Sequence, residues 1–140
     1  MAGKPCSGGM AVRLNHVTII VSELARSRAF YEGLGFELIV LAEPRYARFV
    51  LPGNAATFSI EVTGDRPETG PGQAQIFIEC DDLDERVGRL EAAGYVFHQP
   101  PTDMDYVWRE ARTRDPDGHD IRLYFAGGNR LDPPWRIGRE

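Results

Sequence analysis

The sequence predicts an α+β fold made of two tandem βαβββ modules, joined as a curved mixed sheet with outer helices. Three observations predict it. The chain repeats itself: His16 and Gln75, Leu24 and Leu83, and Gly35 and Gly94 are each 59 positions apart (75 − 16, 83 − 24, 94 − 35). Each copy runs from an apolar strand into an amphipathic helix and then into three more strands. A segment rich in Pro and Gly, 64–72, separates the copies.

The elements follow in order. The β-branched run 17–21 reads as a buried strand. Ser22 is placed to cap a helix carrying Leu24, Arg28, Tyr31 and Leu34 at helical spacing, and Gly35 stands where a C′ glycine stops it. Strands are expected over 36–42, 46–51 and 57–62, broken by Pro44 and by Pro52-Gly53-Asn54. In the last of these, Phe58, Ile60 and Val62 alternate on one face, with Thr57, Ser59, Glu61 and Thr63 on the other. The second copy repeats this order: a strand over 75–80, then a helix capped by Asp82 with Glu85 three residues on. Strands over 95–99, 106–113 and 121–125 follow, with a loop over 100–105 and a type I turn at Asp115-Pro116-Asp117-Gly118. The boundaries are a leader at 1–11, a first module at 12–63, a linker at 64–73, a second module at 74–125 and a tail at 126–140. The leader is expected to be disordered.

At 140 residues, 42% hydrophobic, the chain has enough apolar material for one packed domain. A net charge of −5 with no clustered basic face argues against a nucleic-acid partner. No apolar run approaches the roughly 20 residues of a membrane span, and the first ten residues lack the apolar core of a secretory signal. Two cysteines, Cys6 and Cys80, make no disulfide framework, so the cytoplasm is the expected compartment.

A strand opening on His16 and a helix ending Phe30-Tyr31-Glu32-Gly33-Leu34-Gly35-Phe36 resemble the start of vicinal oxygen chelate proteins. These form the glyoxalase, bleomycin-resistance and extradiol-dioxygenase superfamily. Cys80-Asp81-Asp82-Leu83-Asp84, and then Asp115-Pro116-Asp117-Gly118-His119-Asp120-Ile121-Arg122-Leu123, are similar to it in the second copy. The resemblance covers about residues 12 to 125. It implies a glyoxalase-like fold, a homodimer, and a small-molecule site in the cleft between modules. It also implies metal ligands on the first and last strands of each module, which map onto His16, Glu61, Gln75 and Arg122.

Two readings of that set stand side by side. In one, His16, Glu61 and Gln75 hold a divalent ion (Zn, Ni, Mn or Fe) as a Lewis acid for a lyase, isomerase or dioxygenase, with Glu61 as base and Arg122 clamping an anionic group. A guanidinium has five donors and no acceptor, so Arg122 cannot itself be a ligand. Beside the metal it is also repulsive, by about 4 kcal/mol per unit of charge product at 4 Å and an effective dielectric of 20. In the other, favoured reading, no metal is needed. Arg122 pairs with Glu61 across a trough lined by both sheets, and the cleft binds an anionic or oxygen-rich molecule without chemistry. Tyr46, Phe58, Tyr106 and Trp108, with Phe49, Phe77 and Tyr124, supply an aromatic wall in either case. A non-catalytic dimeric scaffold is a further alternative. His98 and His119 read as solvated, Cys80 as a small buried hydrophobe, and Trp135 as a lid or partner contact.

Overall fold

The computed structural model describes residues 10–138; the expected leader lies almost wholly outside them. The first module contains β1 (His16–Ile20), α1 (Leu24–Gly33), β2 (Glu37–Ala42), β3 (Tyr46–Val50) and β4 (Thr57–Glu61). The second contains β5 (Gln75–Glu79), α2 (Leu83–Ala92), β6 (Phe97–Asp103), β7 (Arg109–Arg114) and β8 (Asp120–Phe125). Each makes a four-stranded mixed sheet of the same topology, β1-β4-β3-β2 and β5-β8-β7-β6. In each sheet the first strand pairs in parallel with the last.

Each helix covers one face of its own sheet. Phe49, Phe58, Ile60, Ala111, Ile121 and Leu123 point from the strands to the helical side and are buried. Tyr31, Leu34, Val87 and Leu90 meet them from the helices, and one continuous apolar cluster runs through both modules. Both helices end in the same device. Gly35 and Gly94 take positive φ (108° and 103°). The N–H groups of Phe36 and Tyr95 then bond back to the carbonyls of Tyr31 and Leu90, the Schellman closure that a glycine at C′ permits.

The helix starts differ from expectation. The N-cap of α1 is Glu23, with no side-chain capping bond. Ser22 instead donates its hydroxyl and its backbone N–H to the Asp117 carboxylate of the other module, at 2.5 and 3.1 Å. Asp82 does not cap α2 with its side chain; it receives Arg86 and Arg89 at 3.0 and 3.1 Å. The Asp82 carboxyl is drawn to guanidinium donors, which outcompete a neutral amide. The expected loop over 100–105 is largely strand, since β6 runs to Asp103. Pro100 and Pro101 are tolerated because β6 is an edge strand with register shifts. Residues 104–108 turn, with Val107 at φ 62° and its N–H bonded to the Met104 carbonyl. Tyr106 and Trp108 therefore stand on a turn rather than on a strand.

The modules are tied through their helical sides and the 115–119 turn. Tyr31 donates its hydroxyl to Asp115 at 2.8 Å, Tyr95 to the Phe30 carbonyl at 2.6 Å, and Arg86 bonds the Leu34 carbonyl at 3.1 Å. Burial, then Asp115, pushes the Tyr31 phenol well above its usual range, so it stays a donor. His119, expected to be solvated, donates its Nε2–H to the Ile20 carbonyl at 2.7 Å. It locks the start of β8 to the end of β1.

Candidate functional site

The face of each sheet turned away from its helix is open, and the predicted site residues divide between these two faces. On the first, His16 is held between hydroxyls: Nδ1 lies 2.6 Å from Thr57 Oγ1 and Nε2 lies 3.0 Å from Thr18 Oγ1. Ser59 Oγ stands 3.5 Å from the same Nε2 and 2.6 Å from the Tyr46 hydroxyl. Arg48 Nε donates to Tyr46 at 2.9 Å. The result is a polar run, Arg48 to Tyr46 to Ser59 to His16, in which each hydroxyl serves as donor and acceptor. It can orient an oxygen-bearing ligand.

The second face is ionic. Glu110 is fully buried, and its Oε2 accepts from Arg112 at 2.8 Å and Arg122 at 3.3 Å, while Oε1 accepts from Tyr106 at 2.7 Å. Arg122 also forks onto Asp120 at 3.1 and 3.0 Å and lies over the Phe77 ring, 5.4 Å from its centre. Phe77, Trp108 and Tyr124 pack as a cluster with ring centres 4.8 to 5.7 Å apart, and Tyr106 extends it to Trp108 at 5.8 Å.

Strand register decides which residues are equivalent. His16 pairs with Thr57 and Gln75 with Asp120, so the repeat of 59 at the first strands becomes 63 at the last ones (120 − 57). The counterpart of Arg122, which pairs with Phe77, is therefore Ser59, which pairs with Thr18, and the counterpart of Glu61 is Tyr124. The sequence reading had matched Arg122 to Glu61, 61 positions away. The four extra residues between β5 and β8 produce that error.

Several expectations change accordingly. Glu61 sits opposite Ile20, four residues along the strand pair from His16, about 13 Å at the rise of an extended chain. The two side chains do not converge on one point. Arg122 does not pair with Glu61 across a trough; it pairs with Glu110 and Asp120 on its own sheet. Among the described residues, no hydrogen bond, ion pair or ring contact joins side chains of the two open faces. Gln75 begins β5 and is exposed. Phe58 and Phe49 belong to the core, stacked with Tyr31 and Phe36, not to an aromatic wall. Tyr46, Tyr106 and Trp108 do lie by the open faces. Cys80 is buried, and burial pushes its thiol up to about 11, leaving it without nucleophilic character.

Sequence reasoning missed Ser59 and Arg112. Arg112 was legible in principle, since Glu110, Arg112 and Arg114 alternate with Ala111 and Thr113 along β7. Ser59 needed the register.

The chain matches the family model of the Glyoxalase/Bleomycin resistance protein/Dioxygenase superfamily over residues 13–123. It belongs to that superfamily. Solved structures agree in fold. A member of this superfamily from Sphaerobacter thermophilus DSM 20745 is 27% identical, with a TM-score of 0.67 over 82% of this chain and 98% of the other. TioX from Micromonospora sp. ML1 is 22% identical, with a TM-score of 0.64 over 79% and 96%. A lactoylglutathione lyase from Agrobacterium tumefaciens is 16% identical, with a TM-score of 0.69 over 86% and 96%; the last two likenesses speak to fold alone. Among curated proteins, none matches the chain. No helix among the described residues is long and apolar enough to cross a membrane.

The superfamily resemblance implies a divalent metal, and the donor set here does not fit one. At the register position of the two last strands stand Ser59 and Arg122, a neutral hydroxyl and a cation without lone pairs. His16 already has both ring nitrogens engaged. Pairing with Asp120 and Glu110 offsets the charge of Arg122 but gives it no donor electrons. Hard and borderline divalent ions need anionic or imidazole ligands in number. These faces offer one imidazole, one exposed amide and the Glu61 carboxylate four residues along the strand pair from His16, while Glu110 and Asp120 are taken up by arginines.

Proposed function

We propose that the protein binds, without chemical conversion, a small planar molecule bearing a carboxylate or several oxygens. The observation that carries this reading is that Arg122, at a position where the resemblance implies a ligand, is a guanidinium paired with Glu110 and Asp120, while its register counterpart in the first sheet is the neutral Ser59. What remains suits recognition. Arg122 is consumed by its own carboxylates, so Arg112, whose Nε binds Glu110 and whose guanidinium lies beside the Tyr106 hydroxyl, is the cation offered to a ligand. The Trp108 and Tyr106 rings beside it supply a stacking wall. Glu61, expected as a base, has no partner for its side chain among the described residues and would contact ligand as an acceptor.

We further propose that the cleft closes between two copies. The contacts within one chain use the helical sides, leaving each open face with half a site. The hydroxyl face of one chain would meet the ionic face of its partner, giving a homodimer with two clefts.

The test is quenching of Trp108 fluorescence by aromatic carboxylates in a Trp135→Phe background. Arg112→Ala should weaken binding at least tenfold, and Tyr46→Ala should do so through the other face. Mixing and refolding the two variants should restore one intact cleft per mixed dimer. Restoration in neither face's favour would sink the exchange. Stoichiometric Ni, Zn, Mn or Fe in protein purified without chelator, lost in His16→Ala, would overturn the metal-free reading.

A further inference from the structure

A second concavity lies against α1, with Arg114 at the end of β7 on its border. It is a cavity of about 630 Å³ between α1 and the segment that follows α2, lined by Arg26, Phe30, Tyr95, Val96, His98 and Arg114 among others. That volume is in the range of small-molecule sites. Three features give it a chemical character. Its lining contains two arginines and a histidine but no Asp or Glu, in a chain of net charge −5. Arg26 is already held by Asp117 and Ser22, whereas Arg114 makes no ion pair or hydrogen bond among the described residues. The wall facing these cations is aromatic and fixed. The Phe30 and Tyr95 rings pack at a tilt of 42° with centres 5.0 Å apart, and Tyr95 is pinned by its hydroxyl bond to the Phe30 carbonyl at 2.6 Å. Gly33 makes that bond possible, because a Cβ there would collide with the Tyr95 hydroxyl.

We propose that this cavity is a separate binding site for an aromatic monocarboxylate: the Arg114 guanidinium receives the carboxylate, and the Phe30–Tyr95 pair receives the ring. A guanidinium fork matches a carboxylate in two parallel hydrogen bonds. A single unpaired cation selects one negative charge over two. An apolar ring covers the exposed surface of Ala29, Ala93 and Val96. The site spans the two modules, so occupancy also bears on how they are held together. It stands independently of the open-face reading.

The probe is 1-naphthoate, with 1-naphthamide as its uncharged match. Calorimetric titration gives the affinity, and the His98 imidazole signals in a carbon-proton NMR spectrum report the location. Naphthoate should bind with saturable movement of the His98 signals, and the amide should bind at least tenfold more weakly. Arg114→Gln, at an exposed position, should cost at least tenfold, and Val96→Trp, which fills the cavity, should abolish the His98 response. Absence of a His98 response at millimolar naphthoate, or an affinity in Arg114→Gln within twofold of the parent, would each overturn the proposal.

Discussion

Where the first sheet carries Tyr46, Arg48, Ser59 and Glu61, the second carries Glu110, Arg112, Arg122 and Tyr124 at the same register positions. One backbone plan thus supports a hydroxyl network in one module and an ion cluster in the other. The difference is one of risk. A hydroxyl left without its partner can turn to water or to another oxygen. A carboxylate buried under two guanidiniums has no such outlet, and the cluster stands only as a complete set. The face that is harder to alter is therefore the ionic one, and the face that adapts is the hydroxyl one.

Equivalent substitutions at Tyr46 and Glu110 are the strongest way to break this comparison. Glu110→Ala leaves Arg112 and Arg122 without their shared buried partner, and we expect a loss of about 3–5 kcal/mol. Tyr46→Phe removes one bond to Ser59 and one from Arg48, and about 1–2 kcal/mol is expected. Urea denaturation of both variants measures the gap. Equal losses would mean that the ion cluster is no more interdependent than the hydroxyls. Replacing the set together, as Glu110→Leu with Arg112→Leu and Arg122→Met, should recover most of the loss, since a buried ion cluster exchanged for apolar volume is close to neutral.

The helix ends give a smaller contrast. Gly35 and Gly94 share a backbone conformation that side chains disfavour, so alanine at either should cost about 1–2 kcal/mol. At Gly35 the new Cβ also meets an Arg86 nitrogen at 3.1 Å, while at Gly94 it meets open space. Arg86 would have to shift from the Leu34 carbonyl that it bonds across the module boundary. Gly35→Ala should therefore be the more damaging of the two, measured as thermal midpoints of the single variants. A reversed order would show that this cross-module bond adds nothing.

Much of this was legible in the sequence because it rests on local chemistry. The Gly35 and Gly94 closures, the strand alternation of Phe58 and Ile60, and the Asp115–Gly118 turn are each dictated within a few residues. The equivalence of Ser59 and Arg122 was not, because it depends on strand pairing. Glu61 reads locally as a solvated carboxylate, and only the family resemblance makes it a ligand position; the pairing of His16 with Thr57 sets it four residues along from His16. The destination of Arg122 was hidden for a similar reason. Its partners Glu110 and Asp120 are reached across β7 and along β8, and the nearer acids in space are not those suggested by the repeat. The aromatic residues separated by the same rule: Phe58 by alternation into the core, Trp108 by the turn at 104–108 onto the open side.

The smallest expected effect is one of acid sensitivity, and it too divides the modules. The first turn of α2 carries Asp84, which Arg109 binds through two nitrogens at 2.9 Å each, and is preceded by Asp82 with Arg86 and Arg89. No acidic residue lies in the first turn of α1. These guanidiniums hold both carboxyls below their ordinary value of 3.8. A depressed carboxyl stabilises the fold above its unfolded value, and that contribution is lost as pH falls through 3.8 toward the folded value. The same module carries His98, whose imidazole burial, and then Arg114, holds below 6.5. Its neutral form is favoured in the fold, so stability should decline gently as pH falls below 6.5, where the unfolded chain takes up the proton first. His98→Gln should flatten the upper part of the profile, and Asp82→Asn with Asp84→Asn the lower part. All three groups are exposed or nearly so, and water screens exposed pairs strongly, so both effects are small and should shrink further in salt. Urea midpoints from pH 8 to pH 3 in these variants separate the two windows, and amide exchange at α1 against α2 tests whether acid loosens the second module first.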